Sequence, residues 1–408
     1  MAKQIGLFGF GVVGQGYYEI AQKHQQGLAP NTIVVQNPNK KRNSEISFSF
    51  EPKDILENDI ETGIELISDA DKAYDYVSTL LKKGKKVISA NKKMLANHLP
   101  ELIQLEKDFG GSLLYEASAA AGIPVITTLD TQFAGDQITS LEGILNGSSN
   151  YILTRLFEDG LSIAEAISLA QENGFAEADP SLDLNGSDVK SKLSILALHA
   201  FGQYIEEKNI ATLGIQHISL EEVNLAKEFG LKIKLVAKAY RSEDGIAAYI
   251  LPSLVKPKDS LFMVENEYNA IKVDSINLGE QFYLGKGAGS YPTGASVYAD
   301  LCKLESGYAY GYDKLNGKSP VTIIPKAVHE KVLLRAKQRT TLENFTNAES
   351  IIFRNDQYWA ITPLSTASIL LNELSIIREE LSILAINDSL ALDLLEDFLK
   401  SSVATSIS

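Results

Sequence analysis

Cysteine and histidine are scarce in this chain of 408 residues. Cys302 is the single cysteine, which excludes an intrachain disulfide framework and suits a reducing compartment. The five histidines (positions 24, 98, 199, 217 and 329) stand far apart, without the short spacing of transition-metal ligands. The sequence therefore predicts neither a disulfide-stabilised secreted domain nor a zinc-type site.

The chain also lacks an apolar run of about 18 residues, the length that a membrane-spanning helix requires. Positive charge is in the minority, because 38 Lys and Arg against 52 Asp and Glu leave a net charge of −14. This balance argues against nucleic acid or an anionic membrane as a partner. Glycines interrupt the apolar N-terminus, which is unlike a signal peptide. We therefore expect a cytoplasmic protein.

A glycine pattern, Gly9-x-Gly11-x-x-Gly14, stands near the N-terminus. A short apolar strand precedes it and a helical pattern follows, the context that distinguishes a dinucleotide fingerprint from a chance match. Gly9 permits a tight turn, Gly11 lets the backbone approach a pyrophosphate, and Gly14 allows close helix-to-strand packing. The helix N-terminus adds unpaired N–H groups for the phosphates. The predicted cofactor residues here are Gly9, Phe10, Gly11, Val13 and Gly14.

The second predicted strand ends in a basic segment without an acid, Gln36-Asn37-Pro38-Asn39-Lys40-Lys41-Arg42. A site that prefers NAD is expected to carry an acid here for the ribose hydroxyl. Amides followed by Lys40 and Arg42 suit a 2′-phosphate instead, so the segment favours NADP(H), with NAD(H) still possible. The alternative is a solvated basic loop, the usual role of a charge run.

Strands alternate with helical patterns over residues 1–130, which predicts a doubly wound parallel sheet. The next part of the chain mixes strand-like and helical runs, which is typical of an α+β domain with an open sheet. A turn-rich linker over 316–320 precedes a hairpin candidate around Asn355-Asp356, a helix and a strand. The predicted strands are 4–8, 32–36, 63–67, 86–89, 112–115, 138–145, 246–251, 263–273 and 382–386. The predicted helices include 72–82, 99–109, 163–173, 187–202 and 220–229.

Acids crowd into the stretch that leads to the helix predicted over 187–202; they are Glu177, Asp179, Asp183 and Asp188. Pro180 and Asn185-Gly186 predict turns, so the part up to Asp183 should be an irregular loop. Asp188 and Lys192 lie four residues apart and share a helix face. This face borders the apolar stripe of the helix, which consists of Val189, Leu193, Leu196 and Ala200. A partly buried lysine there can exchange a proton with a substrate. The alternative is a surface acidic loop followed by an ordinary ion pair.

Six stretches, in order across residues 1–310, together resemble homoserine dehydrogenase of the monofunctional type, without an aspartate kinase domain. They are the glycine pattern, residues 84–92, 115–124, 143–152, 176–192 and 285–293. The resemblance implies an α/β fold with three parts. These are an N-terminal Rossmann-type dinucleotide-binding domain (1–130), an α+β catalytic and dimerisation domain with an open mixed sheet (131–315), and a small degenerate ACT-like C-terminal region (322–408).

The resemblance also implies an activity, the NAD(P)-linked interconversion of aspartate 4-semialdehyde and homoserine in threonine, methionine and isoleucine biosynthesis. Lys192 matches the family's acid/base lysine, and Asp188 would orient it. Glu177 matches the carboxylate that grips the substrate ammonium group, and Asp183 matches a further substrate contact. Lys92 matches a lysine near the nicotinamide and the substrate, which makes it an alternative proton carrier or a phosphate or ribose contact.

Further expectations rest on the resemblance alone. The family binds Na⁺ or K⁺ largely through backbone oxygens, which correspond here to Glu116, Ala119, Ala121 and Ile123. Gly287 would approach the cofactor, and so would Ser68, although Ser68-Asp69 replaces the family's usual Gly-Gly pair. We expect a homodimer or homotetramer. The tail lacks the usual Asp-Arg-Pro-Gly-Val signature, so threonine sensing is not predicted.

Two other functions compete with this interpretation. One is another NADP-linked reductase that acts on an amino-acid aldehyde or imine, and the other is a non-catalytic NADP-binding regulator. A phosphorylating semialdehyde dehydrogenase needs a catalytic cysteine in a loop, whereas the pattern around Cys302 is helical. The Asp188/Lys192 pair argues against a regulator, because a sensor has no need of a positioned proton donor.

Overall fold

The computed structural model describes residues 3–24, 27–42, 45–242, 245–316, 329–345, 350–365, 381–386, 392, 393 and 395. The chain divides into two compact units, each assembled from separate segments. The first unit comprises Met1–Asp136, Ser191–Glu206 and Gly285–Lys318, and the second comprises Gln137–Lys190, Glu207–Leu284 and Ser319–Ser408. The contiguous domains 1–130, 131–315 and 322–408 remain a prediction.

The first unit contains a five-stranded parallel sheet. Its strands are β1 (Ile5–Phe8), β2 (Thr32–Val34), β3 (Thr62–Glu65), β4 (Lys86–Ser89) and β5 (Ser112–Leu114). They pair in the order β2-β1-β3-β4-β5, and the pairs are parallel. The strands are short and buried, as parallel strands with both faces covered usually are. This confirms the Rossmann-type sheet and its five predicted strands.

Helices follow the strands of this sheet. They are α1 (Val12–His24), α2 (Lys53–Leu56), α3 (Ala70–Lys82), α4 (Lys92–Phe109), α5 (Ala117–Ala120) and α6 (Val125–Thr131). Helix α4 begins seven residues before the predicted start at residue 99, and Pro100 lies inside it. The side chain of Asn91 fixes the earlier start, because its Oδ1 accepts a hydrogen bond from Met94 N at 3.0 Å.

The second unit is built on a ten-stranded mixed sheet. Its strands are β6 (Ile138–Ile144), β7 (Ala211–Thr212), β8 (Lys232–Ser242), β9 (Gly245–Val255), β10 (Tyr268–Ser275), β11 (Gly279–Lys286), β12 (His329–Ala336), β13 (Ile351–Arg354), β14 (Gln357–Ser365) and β15 (Leu381–Ile386). The order is β11-β10-β6-β8-β9-β15-β12-β14-β13, with β7 also beside β9. Strands β7 and β15 run parallel to β9, whereas the neighbouring pair β8–β9 is antiparallel. The predicted open mixed sheet is confirmed.

Five parts of this sheet differ from the sequence prediction. Strands β7, β8, β11 and β12 lie outside the predicted set. The strand expected over 263–273 begins only at Tyr268, because Ser260–Met263 form a 3₁₀ turn. The side chain of Asp259 caps that turn by accepting a hydrogen bond from Leu261 N at 2.9 Å. A local side-chain cap of this kind competes with strand formation.

The later helices are α7 (Gly147–Asp159), α8 (Ile163–Glu172), α9 (Ser181–Leu184), α10 (Ser187–Phe201), α11 (Leu220–Glu228), α12 (Ser290–Glu305), α13 (Asp313–Asn316) and α14 (Arg339–Phe345). Helices α8, α10 and α11 confirm predicted helices, and Cys302 lies in α12, as its pattern indicated. Helix α10 carries the chain from the second unit into the first between residues 190 and 191. None of the helices in the described part of the chain is long and apolar enough to cross a membrane.

The predicted hairpin near the C-terminus is confirmed as β13 and β14. Asn355 and Asp356 have φ values of 51° and 57°, the left-handed conformation that a two-residue hairpin turn requires. Strand β15 confirms the last predicted strand. The helix expected between β14 and β15 and most of the predicted linker lie outside the described residues.

Candidate active site

The three fingerprint glycines have three different surroundings. Gly9 has a φ of 95°, and a Cβ added to it would lie 2.6 Å from the carbonyl oxygen of Leu66. A Cβ on Gly14 would lie 2.6 Å from the carbonyl oxygen of Gly9, so Gly14 is needed for close packing. A Cβ on Gly11 would meet no atom within 4 Å. The protein itself therefore does not require a glycine at position 11, whereas a closely bound pyrophosphate would.

A distant segment completes the surroundings of helix α1. Ser290, the first residue of α12, donates a hydrogen bond from its Oγ to the carbonyl oxygen of Val12 at 2.7 Å. A Cβ on Gly16 would lie 2.3 Å from Ser290 O, and one on Gly294 would lie 2.5 Å from Tyr17 N. The two helices therefore touch backbone to backbone. The sequence prediction missed Gly16, Ser290 and Gly294. The available signal was the presence of a glycine inside each of two helical patterns.

Gly287, predicted to contact the cofactor, lies in the turn between β11 and α12. This turn ends at Gly289, which has a φ of 115° and stands immediately before Ser290. Because Ser290 bonds to Val12 in the first turn of α1, the structure brings the turn of Gly287 to the fingerprint helix.

The basic segment after β2 is anchored by Arg42. The Nη1 of Arg42 donates hydrogen bonds to the carbonyl oxygens of Asn37 at 2.6 Å and Lys40 at 3.1 Å. The guanidinium stands 5.5 Å from the ring centre of Phe48, and Phe10 of the fingerprint meets the same ring edge-on at 5.1 Å. Among the described atoms, the buried Nε of Arg42 has no hydrogen-bond partner. Arg42 and the fingerprint residue Phe10 thus contact the same ring, while Lys40 is exposed.

The side chain of Glu65 is buried at the C-terminal end of β3, and the sequence prediction missed this residue. Glu65 is only 1% exposed. Its oxygens accept hydrogen bonds from Ile67 N at 2.7 Å and from Ser89 Oγ at 2.5 Å. Burial raises the pKa of Glu65 to about 7, against the lowering effect of these hydrogen bonds. Asn91 belongs to the same hydrogen-bonded cluster, because its Nδ2 donates a hydrogen bond to Ile67 O at 3.1 Å.

Ser68 and Lys92 stand at the same edge of the parallel sheet, where ligands of doubly wound folds bind. Ser68 precedes Asp69, whose Oδ1 accepts a hydrogen bond from Lys72 N at 3.1 Å and caps α3. This cap gives Asp69 a structural role in place of the family's second glycine. Lys92 is the first residue of α4 and is half-buried.

The amide of Asn146 joins Asp183, a predicted substrate contact, to Asp188, the acid predicted to orient Lys192. Its Nδ2 donates hydrogen bonds to Asp183 Oδ1 at 2.7 Å and to Asp188 Oδ2 at 3.0 Å. Its Oδ1 accepts from Ser149 N at 2.8 Å and caps helix α7. Asn146 is 5% exposed, so a buried, fixed amide holds the two carboxylates together. The sequence could not predict this contact, because its partners lie 37 and 42 residues away.

The loop before these acids is partly helical, which corrects the predicted irregular loop. Asp183 lies in the one-turn helix α9. Asp179 starts that turn by accepting a hydrogen bond from Ser181 N at 3.1 Å, which gives it a structural role. Glu177 is exposed, and its backbone carbonyl accepts from Gln171 Nε2 at 3.0 Å.

Lys192 is buried, with 7% of its surface exposed. It lies on α10 four residues after Asp188, so the two side chains leave the helix on the same side. The apolar neighbours Val189, Leu193 and Leu196 on the helix are at most 1% exposed. A lysine in such surroundings is a group whose proton a substrate can share.

The predicted cation segment offers backbone oxygens. The carboxylate of Glu116 is already engaged, because it accepts hydrogen bonds from Ile126 N at 2.7 Å and Thr127 N at 2.8 Å. Ala121 has a φ of 46° and a ψ of −101°, a positive-φ conformation that is rare for alanine. Its carbonyl accepts a hydrogen bond from Ser296 Oγ and keeps a second lone pair. In the described residues no group of three or more His, Cys, Asp or Glu side chains is placed to hold a metal.

Comparison with known proteins agrees with these features. The profile of the homoserine dehydrogenase family matches residues 124–302. The homoserine dehydrogenase of Bacillus subtilis is 32% identical over 372 residues, which cover 86% of this chain and 84% of that protein. The NAD(+)-dependent homoserine dehydrogenase of Pseudomonas canavaninivorans is 36% identical over 57% of this chain and 66% of that protein. The crystal structure of the Thiobacillus denitrificans homoserine dehydrogenase superposes with a TM-score of 0.82 at 28% identity and covers 95% of this chain and 98% of that one. The chain belongs to the homoserine dehydrogenase family.

Proposed function

We propose that the chain catalyses the reversible, NADPH-dependent reduction of L-aspartate 4-semialdehyde to L-homoserine, within threonine, methionine and isoleucine biosynthesis in the cytoplasm. The observation that carries the proposal is the buried Lys192, which follows Asp188 on α10. The acid pair Asp183 and Asp188, joined by Asn146, supports it, because the substrate carries an ammonium group.

Reduction of the aldehyde needs a hydride at C4 and a proton at the C4 oxygen. The dinucleotide would supply the hydride when bound. Lys192 supplies the proton to the oxygen and takes it back in the reverse direction, and Asp188 orients the lysine. Glu177 and Asp183 hold the substrate ammonium group, and Lys92 contacts the substrate or the cofactor.

The preference for NADP(H) rests on this chain's own residues, since one relative is NAD(+)-dependent. The open space beside Gly11 fits a pyrophosphate. Arg42 lies over the ring of Phe48, which also contacts Phe10, and residues 36–42 contain no acid. These features support a contact between the guanidinium of Arg42 and a 2′-phosphate. A guanidinium–phosphate contact of this kind has no counterpart in NAD(H).

Titration with both dinucleotides tests this preference. In Arg42→Met we expect the KM for NADPH to rise about tenfold or more, because a charge-assisted hydrogen bond is lost, while the KM for NADH changes little. Lys53→Met removes an exposed positive charge from the same unit and serves as the control. Equal effects of Arg42→Met on the two dinucleotides would exclude a 2′-phosphate contact.

We also propose a bound Na⁺ or K⁺ at the backbone oxygens of Glu116, Ala119, Ala121 and Ile123. The positive φ of Ala121 supports it, because backbone strain is retained where a function requires it. Dialysis into a buffer with only a bulky organic cation is expected to lower activity, and Na⁺ or K⁺ should restore it. Activity that does not depend on either ion would contradict the site.

A homodimer or homotetramer is the proposed assembly. Among the described strands, β11 forms one end of the ten-stranded sheet. Its Phe282 and Leu284 are 37% and 55% exposed, and Ile276 and Leu278 just before it are 63% and 47% exposed. Exposed apolar side chains on an end strand favour pairing with a second copy. Light scattering of the wild type and of Leu284→Glu tests this, with a smaller assembly expected for the variant.

The catalytic assignment is tested by NADPH oxidation with L-aspartate 4-semialdehyde. Lys192→Ala should lower kcat by about 10²–10⁴-fold, the usual contribution of a general acid, with a smaller effect on KM. Glu177→Ala should mainly raise the KM for the semialdehyde. Lys82→Ala, an exposed helical lysine, is the matched control. Unchanged turnover in Lys192→Ala would refute the assigned role, and a stronger preference for another aldehyde or imine would refute the substrate.

A further inference from the structure

Four hydrogen bonds join the two turns that follow strands β3 and β4. Glu65 and Ser89 are direct partners in the pairing of these strands. The carboxyl group of Glu65 accepts from Ile67 N at 2.7 Å and from Ser89 Oγ at 2.5 Å. Ser89 Oγ accepts in turn from Asn91 N at 3.0 Å, and Asn91 Nδ2 donates to Ile67 O at 3.1 Å. These bonds form a closed ring through Glu65, Ile67, Asn91 and Ser89, which we call the Glu65 ring.

The side chains of the Glu65 ring are shielded from solvent. Glu65, Ser89 and Asn91 are 1%, 0% and 8% exposed. The two carboxyl oxygens have different partners, since Oε1 accepts from the turn after β3 and Oε2 accepts from β4. Loss of the carboxyl group would remove the acceptor of both donors, and a buried donor without an acceptor is costly. The ring therefore holds the two turns in one arrangement.

These two turns carry two of the predicted cofactor residues. Ser68 and Lys92 each directly follow a residue of the ring, and Lys92 begins helix α4. Asn91 also fixes the start of α4, because its Oδ1 accepts a hydrogen bond from Met94 N. Ser68 is exposed and Lys92 is half-buried, whereas Glu65 is too buried to contact a ligand itself. Glu65 therefore acts on a bound cofactor only through its neighbours.

The turn after β3 also packs against the glycine fingerprint. Leu66 N donates a hydrogen bond to Phe8 O at 2.8 Å. A Cβ on Gly9 would lie 2.6 Å from Leu66 O and 3.2 Å from a side-chain carbon of Ile67. The ring thus fixes a segment that contacts the fingerprint turn. It connects the carboxyl ends of β1, β3 and β4, the edge at which doubly wound folds bind their ligands.

We propose that Glu65 is a positioning residue of the dinucleotide site, where it holds the turns of Ser68 and Lys92 in the arrangement that the cofactor requires. Because the ring fixes both turns before the cofactor arrives, binding requires less ordering of the chain. The inference rests on the proposed use of a dinucleotide. It does not depend on which substrate is reduced.

Fluorescence titration of the full-length protein without a substrate tests this role. The probe is NADPH or NADH, whichever binds the wild type more tightly. Glu65→Met keeps the approximate length of the side chain but removes both acceptors. Its dissociation constant for the probe should rise about tenfold or more, because the turns rearrange to satisfy the freed donors.

Glu65→Gln should restore most of the affinity, to within about threefold of the wild type. Its amide oxygen can accept from Ile67 N, and its amide N–H can donate to Ser89 Oγ, which has two lone pairs. An uncharged side chain suits this position, since burial raises the pKa of Glu65 to about 7. Rescue by Gln therefore separates the hydrogen bonds of the ring from the charge of the carboxylate.

Glu106→Met is the matched control for a loss of stability. Glu106 is another buried acid of the same unit, and burial raises its pKa to about 7 as well. It accepts a hydrogen bond from Leu113 N at 3.1 Å. It lies about 21 Å farther along α4 than Lys92, since an α-helix rises about 1.5 Å per residue. We expect this variant to be less stable in urea but to bind the probe like the wild type.

Ser89→Ala opens the ring by the loss of one hydroxyl group and decides the question if Glu65→Met does not fold. We expect it to weaken binding of the probe about threefold or more. The proposal is overturned if Glu65→Met or, in its place, Ser89→Ala binds as tightly as the wild type. It is also overturned if Glu65→Gln loses as much affinity as Glu65→Met, or if Glu106→Met loses as much. A wild type that binds neither dinucleotide would overturn the proposed function as well, whereas these variant results leave it intact.

Discussion

The hydroxyl of Tyr204 donates a hydrogen bond to the backbone carbonyl of Ala96, in the second turn of helix α4. This carbonyl would normally accept from the N–H four residues later, but that position is Pro100, which has none. A side chain from the segment after α10 therefore replaces the missing helical hydrogen bond. The replacement explains how α4 continues through a proline that would otherwise end it.

Loss of this hydroxyl should destabilise the fold. We expect Tyr204→Phe to lower the free energy of unfolding by about 1–3 kcal/mol, because a buried carbonyl loses its partner. Pro100→Ala restores an N–H at the helical position, so Tyr204→Phe should cost less in that background. Urea unfolding of the two single variants and the double variant gives the coupling. Strict additivity would show that the hydroxyl does not serve the carbonyl that Pro100 leaves unpaired.

The fingerprint glycines should separate folding from cofactor binding. Gly11→Ala meets no protein atom within 4 Å, so it should change stability by no more than about 1 kcal/mol. Its affinity for the dinucleotide should fall about tenfold or more, because the methyl group occupies the space of the phosphates. Gly14→Ala meets Gly9 O at 2.6 Å and should cost about 1–3 kcal/mol of stability. Urea unfolding and a fluorescence titration with NADPH measure both, and equal losses of affinity and stability in Gly11→Ala would contradict this separation.

The amide at position 146 should set the pH dependence of activity. Asn146→Asp keeps an oxygen that can cap α7 but adds a carboxyl group beside Asp183 and Asp188. Like charges at this distance raise each other's pKa, so the variant should be impaired at neutral pH and recover as the pH falls and the new group becomes a donor. We expect kcat/KM at neutral pH to fall about tenfold or more.

A pH profile of kcat/KM is the measurement for this variant. Asn146→Ala loses both the cap and the donor, so it should be impaired without recovery at lower pH. A profile of Asn146→Asp that is parallel to the wild type would contradict a donor role for the amide.

His199 should make the folded state less stable in mild acid. Its ring is 3% exposed, with Nε2 2.7 Å from the hydroxyl of Tyr115. Burial, and then the charge of Lys314, lowers the pKa of His199 to about 3. Below about pH 6.5 the unfolded chain gains a proton that the folded protein does not take up, so stability is lost as the pH falls from about 6.5 towards 3 and is constant above that window. The loss from this residue at about pH 5.5 is about 1.4 kcal/mol.

Comparison with His199→Gln isolates this contribution. The buried Glu65 and Glu106 act in the opposite direction, since burial raises the pKa of each to about 7, but they are common to both proteins. When the pH is lowered from about 7.5 to about 5.5, the free energy of unfolding should fall by about 1.4 kcal/mol less in the variant than in the wild type. An identical pH dependence of the two proteins would show that His199 is protonated in the folded state.

The sequence predicts those features that depend on neighbours along the chain. The strand–glycine–helix order of residues 5–24 and the paired left-handed residues Asn355 and Asp356 are local signals, and the structure confirms both elements. The spacing of Asp188 and Lys192 is likewise local, because a helix relates residues four apart without help from the rest of the fold.

Contacts between distant residues were not predictable in this way. Asn146 reaches Asp183 and Asp188 only because β6 ends beside α9 and the start of α10, a fact of tertiary packing. The early start of α4 was also not predictable from neighbouring residues. Pro100 indicates a helix boundary unless a distant donor, here the hydroxyl of Tyr204, bonds to the carbonyl of Ala96 that the proline leaves unpaired. Buried Glu65 looks like any strand acid in the sequence, and only its burial makes it unusual.

The backbone contact between α1 and α12 has a consequence for protein engineering. Gly16 and Gly294 meet across 278 positions of the chain, so the dinucleotide-binding unit is not a contiguous module. A chimera that exchanges only the first 136 residues to alter coenzyme use would separate α1 from the helix shaped to fit it. The exchangeable piece is instead a set of three segments, residues 1–136, 191–206 and 285–318, which must be taken from the same parent.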